Sequence, residues 1–388
     1  MARRFIFFAV FCCLIGISLC AGIANAAPSV KISDKKDNVT IQEAVTNEIL
    51  EEIKKGVDET KDLVFKLEKI DSNEDLAKLC EAFPNMKQLN IDRAKGMTSI
   101  APVAKLKDLT RFRLSGVAAP VDLTPLSALS GLKVIDLMGS NVADLAPLSG
   151  LPELTTLNLN EATVKDFSPL AGCPALKELN VYASKGADYS TLGKLAQVQT
   201  LFGGLTKIND ISWITGMTKL KKYQMNAEEV TDYTPLAKLQ LEDLAIVDMR
   251  APVDLKQLSG VVSLKKLKLH GVKIAGGFEG LASLVNLEEL TLMGMNANRG
   301  TAVDLAFIKS MPNLKKLDMN DSEIRNFDAV SGCAKLASVI ITSKTTGIDN
   351  LEALKKLPNL TELVVAKGAF PDNQLKGFAN PKIKISQR

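Results

Sequence analysis

The sequence predicts an α/β repeat solenoid: an arc of stacked coils with one parallel β-sheet on its concave side, short 3₁₀ or helical turns on its convex side, and a helical cap at the N-terminus. Three observations carry this. The pattern apolar-x-x-apolar-x-apolar recurs from residue 86 to residue 365. Its copies lie mostly 21 to 24 residues apart, too close for a coil that contains a long helix. Within each copy the last two apolar residues alternate with polar ones at period two, the mark of a short strand with one buried side.

In chain order, the first segment stands outside the fold. Arg3 and Arg4 precede the uncharged run Phe5 to Ile23, which ends in Ala24-Asn25-Ala26. This three-part arrangement reads as a secretory signal peptide over residues 1–26, with the mature chain starting at Ala27. A retained anchor is the alternative, since the apolar run approaches spanning length. Lipid attachment at Cys20 is disfavoured by the bulky Leu19. No second apolar segment follows, so the cleaved product is expected in the periplasm or secreted, without stable membrane insertion.

Residues 27–85 are expected to form the N-terminal cap. Thr40 to Glu43 reads as a capping box, and Ile41, Val45, Ile49, Ile53 and Val57 mark the apolar stripe of an amphipathic helix. Phe65 and Leu67 predict a first strand, and a second short helix is expected around Glu74 to Glu81.

The array proper is placed at residues 86–370. Clear copies are Leu132 to Leu137, Leu154 to Leu159, Leu176 to Val181, Leu264 to Leu269, Leu287 to Leu292 and Leu360 to Val365. With degenerate copies, about thirteen units open at Met86, Leu109, Leu132, Leu154, Leu176, Val198, Leu220, Leu241, Leu264, Leu287, Leu314, Leu336 and Leu360. Each strand is followed by a return such as Val142 to Leu151, in which Pro147 fixes φ for one short turn and Gly150 permits a sharp exit. Pro125, Pro147, Pro169 and Pro235 rule out long helices. One such coil cannot bury its apolar face alone, whereas stacking buries both broad faces of every interior unit. Residues 371–388 are expected to close the stack as a cap strand, with Pro381 to Ile385 on the edge and its lysines discouraging further pairing.

The returns Asp122-Leu-Thr-Pro125-Leu126 and Asp144-Leu-Ala-Pro147-Leu148, with the variant Asp166-Phe-Ser-Pro169-Leu170, make the chain resemble bacterial leucine-rich-repeat proteins of the internalin-like type. The resemblance covers about three quarters of the chain. It implies a leucine-rich-repeat horseshoe or arc used for adhesion or partner recognition, and it does not name a ligand. One departure stands out. The buried asparagine that usually follows each strand is replaced by Val117, Ser140, Ala162, Ser184, Thr206 and Ser322, so backbone groups at that turn must find other partners.

Composition excludes several function classes. Loss of Arg3 and Arg4 reduces the net charge from +4 to +2, which speaks against nucleic acid as a partner. The single histidine, His270, leaves no raw material for a histidine dyad or a multi-histidine metal site. Phe202-Gly203-Gly204 lacks the Lys-Ser/Thr of a phosphate loop, and Gly203 reads as a flaw in one strand. The adjacent carboxylates Glu242-Asp243 and Glu288-Glu289 read as solvated surface. Cys80, Cys173 and Cys333 stand in leucine slots, and Cys173 and Cys333 lie seven coils, about 34 Å, apart, beyond reach of a disulfide. No catalytic, cofactor or metal site is expected.

What remains is the concave face. If the apolar strand residues point inward, the residues between them form outward rows across the sheet. Met138, Tyr182, Phe202 and Met293 place aromatic and flexible apolar surface among Asn158, Asn160, Asn180, Gln224 and Asn226, with His270 nearby, a mixture found at recognition surfaces. The unit opening at Leu287 is longer than its neighbours, and the excess falls near Arg299, where a rim loop is expected. The sequence therefore points to an exported, monomeric, non-enzymatic binding protein that recognises a protein or other macromolecular partner along this strip. The alternatives are a structural or envelope-organising component without a discrete ligand, and an accessory or effector subunit of an enzyme system.

Overall fold

In a computed structural model, the described residues are 30–387 apart from 69–71, 95, 205–207, 227–228, 297–300, 343, 377 and 379–383. The signal segment and Arg299 lie outside them. The chain opens with β1 (Val30–Ile32), β2 (Asn38–Ile41), α1 (Asn47–Gly56), β3 (Val64–Glu68) and α2 (Asn73–Ala82). There follow β4 (Gln88–Asp92), β5 (Arg111–Ser115), β6 (Val134–Asp136), β7 (Thr156–Asn158), β8 (Glu178–Asn180), β9 (Thr200–Phe202), β10 (Lys222–Met225) and β11 (Asp243–Val247). The second half adds β12 (Val253–Asp254), β13 (Lys266–His270), β14 (Ile274–Ala275), β15 (Glu289–Met293), β16 (Val303–Asp304), β17 (Lys316–Asp318), β18 (Ile324–Arg325) and β19 (Ser338–Ile341). The chain ends with α3 (Glu352–Lys355), β20 (Glu362–Val365), α4 (Asp372–Lys376) and β21 (Lys384–Gln387).

One 17-stranded sheet runs the length of the molecule. From β2 to β21 its strands are parallel, and β1 alone pairs antiparallel, with Val30 opposite Ile41. Two small parallel pairs, β12 with β14 and β16 with β18, stand apart from it. Between strands the chain returns through single 3₁₀ turns such as Ala101–Lys105, Thr124–Leu126 and Ala146–Leu148, each with proline near its start. This is the leucine-rich-repeat solenoid the periodicity predicts.

The cap differs from its sequence pattern in one respect. Thr40 and Ile41 belong to β2, and the helix starts only at Asn47, where the Thr46 hydroxyl accepts from the Ile49 N–H at 3.3 Å. The box-like spacing from Thr40 to Glu43 is coincidental. Val39 and Ile41 alternate with polar neighbours and pair in register with Phe65 and Leu67, so strand pairing captures Ile41. The parallel sheet thus begins within the cap, two strands before the first clear repeat. At the other end β21 pairs with β20, and Pro381 to Ile383 lie outside the described residues.

The core is a column of leucines. Leu132, Ile135, Leu137, Leu145, Leu148 and Leu151 of one unit and their equivalents in the next are buried to within a few per cent, and each contact of this kind removes apolar area from water on both sides of a coil. Cys80, Cys173 and Cys333 are buried among them as free thiols. Burial pushes the Cys80 thiol up to about 12 and the Cys333 thiol up to about 11, so both behave as small apolar fillers. Gly203 is a gap in this pattern, buried without a side chain where neighbouring strands present Val181 and Met225.

Three devices satisfy the backbone where the coil bends. At many returns an aspartate accepts from the N–H two residues on: Asp122 from Thr124, Asp144 from Ala146 and Asp166 from Ser168, all at 2.7–2.8 Å. This local acceptor explains why aspartate recurs before the proline. In place of the missing asparagine ladder, Ser140, Ser184 and Ser322 are buried and donate to the carbonyls of Leu114, Leu159 and Leu292 one coil back, at 3.0, 2.9 and 3.0 Å. Just past many of the described strands, a residue with positive φ turns its N–H toward the next coil. Gly139 donates to Asn160 O, Glu161 to Tyr182 O and Ala183 to Gly204 O, all at 2.8 Å.

Glycine fills that left-handed position at 116, 139, 271 and 294, but Glu161, Ala183, Asp248 and Asp321 fill it elsewhere. A side chain there costs about 1–2 kcal/mol relative to glycine, partly offset by the greater freedom of glycine in the unfolded chain. Ala183→Gly is therefore expected to stabilise the array by about 0.5–1 kcal/mol. An upward shift of the urea midpoint, with no change in slope, checks it.

Candidate functional site

Strand register places the outward residues in straight rows. One row runs through Asn90, Arg113, Asp136, Asn158, Asn180, Phe202 and Gln224 on β4 to β10. Beside it, toward the turn, lie Asp92, Ser115, Met138, Asn160, Tyr182, Gly204 and Asn226. Asn158, Asn160, Asn180, Tyr182, Phe202, Gln224 and Asn226 thus lie on, or just past, four adjacent strands. Met138 lies next to them, two residues past the end of β6. His270 and Met293 lie on β13 and β15, neighbours of each other but beyond the small residues Ala245 and Val247 of β11. The predicted strip is therefore a compact patch over β6 to β10 with a separate pair further along.

Tyr182 is the exposed centre of that patch, 39% accessible where most large apolar side chains are buried. Its position is fixed by Gly204 one strand on. A Cβ built on Gly204 would lie 2.0 Å from the Tyr182 ring, so the ring occupies the space a side chain would need. The Tyr182 hydroxyl accepts from Asn226 Nδ2, two units away, at 3.4 Å. Phe202 completes the surface, with the Lys222 ammonium 5.7 Å from its ring centroid. An aromatic side chain held in this way loses little freedom when a ligand covers it.

The asparagines are less available than their row suggests. Asp136, Asn158, Asn180 and Asp318 each accept through Oδ1 from the N–H two residues on, closing the turn that follows the strand. Asn158 also donates to Asp136 at 2.9 Å. Asn180 Nδ2 remains available, and so do both ends of the Asn90 side chain. These side chains support the turn as well as the surface, which the row pattern alone does not reveal.

A second feature of the concave face lies on the N-terminal side of Tyr182. A trough of about 770 Å³ runs from Lys66 to Phe202, with Asn158 and Asn180 on its floor. Its main feature, Arg113, was not among the expected contact residues. The guanidinium donates to Asp92 through Nε and to Asp136 through Nη1, both at 2.9 Å, and the Ser115 hydroxyl also donates to Asp92 at 2.8 Å. Nearby, Lys66 and then Gln42 hold the Glu68 carboxyl down to about 2. The signal for this cluster was legible in principle: Asp92, Arg113 and Asp136 are opposite charges on consecutive strands, two of them directly in register.

The flanking edge from β10 to β17 is different again. Lys221, Glu242 and Lys265 form a continuous ion ladder at 2.8–3.1 Å, and Glu288 pairs with Lys315 at 2.8 Å. These groups are exposed and satisfied by one another, in keeping with the reading of Glu242 and Glu288 as solvated surface. Among the described residues no group of histidine, cysteine and acidic side chains could hold a metal ion, and no helix is long and apolar enough to cross a membrane.

No family model matches the sequence, and no curated protein does. Solved structures do. An internalin, InlF, from Listeria monocytogenes is similar at 24% identity, covering 73% of this chain and 81% of that one, with a TM-score of 0.56. A leucine-rich-repeat protein of Leptospira interrogans is similar at 14% identity over 88% of this chain and 92% of that one, with a TM-score of 0.53. A chain of the Toll–Spatzle complex of Drosophila reaches a TM-score of 0.65 at 14% identity, covering 94% of this chain and 56% of that one. The fold is the leucine-rich-repeat solenoid.

Asp318 offers a test of the dual role of the row. Burial raises its carboxyl above the ordinary 3.8, against the opposing pull of the Asn320 N–H and of Lys316 and Lys268. A pKa raised on folding contributes stability that is present below the unfolded value and is lost as pH rises through the folded value. Asp318→Asn keeps the oxygen that accepts from Asn320 and removes the charge. It is expected to raise the urea midpoint at about pH 7 and to leave it unchanged near about pH 3, measured as two denaturation series.

Proposed function

We propose that the protein is an exported, non-enzymatic binding protein that recognises a protein partner on its concave face, centred on Tyr182 and Phe202. The observation that carries this reading is the seating of Tyr182: an exposed aromatic ring laid over a glycine and tied through its hydroxyl to a second unit. Buried folds have no use for such an arrangement, whereas interface anchors are rigid aromatics ringed by polar groups. Met138 on one side and Asn160, Gln224 and Asn226 around it supply that setting. His270 and Met293 are proposed as a secondary contact region further along the arc, and Arg299, outside the described residues, as a further contact.

The comparisons support a role in protein interaction in general terms, since one structural neighbour was solved as the Toll–Spatzle complex. Export rests on the basic, apolar and small-residue segments of the first 26 residues. The absence of catalysis rests on the poverty of nucleophile–base pairs on the concave face, where the carboxylates serve turns and ion pairs.

Replacing Tyr182 and Phe202 together by alanine is expected to weaken partner capture by at least about 30-fold, the effect of truncating one strong anchor, while leaving the thermal melt unchanged. Affinity capture from the native cell envelope, read by mass spectrometry, identifies the partner and measures the loss. Equal capture by the double variant overturns the assignment of this patch.

A further inference from the structure

The trough beside Tyr182 has a chemistry of its own. Across six strands, from Lys66 through Asn90, Arg113, Asp136 and Asn158 to Asn180, its central row contains no apolar side chain. Protein–protein interfaces are built around an apolar, desolvated centre, and this floor does not provide one. Nor does it suit a highly charged ligand. Arg113 is held between Asp92 and Asp136, Lys66 is paired with Glu68 at 2.6 Å, and the remaining charges of the lining, Arg111 and Glu178, are one of each sign. Much of its charge is therefore spent on fixing planar groups in place.

Those groups are carboxylates, a guanidinium and amides, set on strands about 4.8 Å apart. Each has hydrogen-bonding capacity left over. Asn180 Nδ2 is free to donate, Asn90 and Gln88 can donate and accept, and the guanidinium of Arg113 has a further N–H beyond the two it gives to aspartates. At the end of the row the polar floor stops at one aromatic ring, Phe202, half buried at the trough wall. A ligand matched to this surface carries many hydroxyl groups that both donate and accept, bears no charge, is extended, and has an apolar ring face to lay on an aromatic side chain. That is the chemistry of a sugar chain.

We propose that the trough binds a neutral oligosaccharide lying across β3 to β9, with one ring packed on Phe202 and successive hydroxyl groups bonded to Asn180, Asp136, Arg113 and Asn90. Charge-assisted hydrogen bonds from the fixed carboxylates and guanidinium give the strongest of these contacts. The site adjoins the patch assigned above to a protein partner and overlaps it at Asn158, Asn180 and Phe202, but Tyr182, the centre of that patch, does not line the trough, so either assignment can stand without the other.

The test titrates the mature chain with neutral hexasaccharides of glucose, mannose and N-acetylglucosamine, and with the anionic hexagalacturonate and a heparin hexasaccharide, by isothermal calorimetry. The expected result is binding of at least one neutral hexamer, with little change on adding salt. The affinity should fall about tenfold in Phe202→Ala, recover in Phe202→Tyr, and remain unchanged in Tyr182→Ala. Asn90→Ala combined with Asn180→Ala should abolish it while the melting profile stays that of the parent. If the doubly substituted chain melts differently, Asn90→Asp alone, which keeps the shape, replaces it and should weaken binding. The proposal is overturned by a failure of all three neutral hexamers to bind at millimolar concentration, by binding confined to the anionic sugars and lost in salt, or by binding indifferent to the trough variants. Loss of protein capture in the Asn90 and Asn180 variants without any sugar binding would overturn it too, and would give the trough to the protein partner.

Discussion

No coil of this molecule can satisfy its own backbone. The N–H groups of each strand look sideways to the next, and just past the strand a left-handed residue hands one more N–H to the following coil. The carbonyls of Leu114, Leu159 and Leu292 are met by serines one unit on. Since a buried peptide group without a partner costs more than a typical hydrogen bond contributes, each unit is stable only between neighbours. Leucine burial supplies the driving force, and this lateral exchange of hydrogen bonds supplies the register. Straight rows on the concave face follow from that register.

The same requirement governs what the concave face can display. Residues that close the turn after a strand are drawn from the outward row itself, so Asp136, Asn158 and Asn180 divide their bonding capacity between the backbone and whatever lies above. A surface built in this way is polar and stiff at once. Where the row changes to Phe202, and the adjoining one from Tyr182 to Gly204, the surface changes from hydrogen-bonding floor to aromatic platform within two strands. The transition is a property of local sequence laid on a uniform scaffold, which is how one fold can serve unrelated ligands.

Much of the architecture was legible because it is periodic. The inward leucines, the proline in the return and the outward rows repeat often enough for register to be read directly, and the pairing of Asn158 with Asn180 and of Asn180 with Phe202 follows. What was hidden is what does not repeat. Ile41 has the spacing of a helix stripe, but pairing with Leu67 captures it in a strand. The antiparallel β1, Val30-Lys31-Ile32, alternates like a strand but is too short for three residues to reveal pairing or direction. At the site, residue type was visible but engagement was not: Asn158 looks like a contact residue until its two bonds are counted. Arg113 has no apolar or amide character to mark it as a contact residue, and only the opposite charges of Asp92 and Asp136 on the strands either side point to it.

The antiparallel first strand has a consequence for the life of the molecule in a crowded compartment. A stack of parallel strands is an open-ended template, able in principle to add the last strand of one molecule to the first strand of another and so grow into a fibre. Here β1 reverses direction at the leading edge. A strand added there in the direction of the array would pair antiparallel with β1, so the parallel ladder of the coils would not continue across the join. A three-residue reversal thereby gives the described sheet two unlike ends, one closed by an antiparallel strand and the other by the parallel β21.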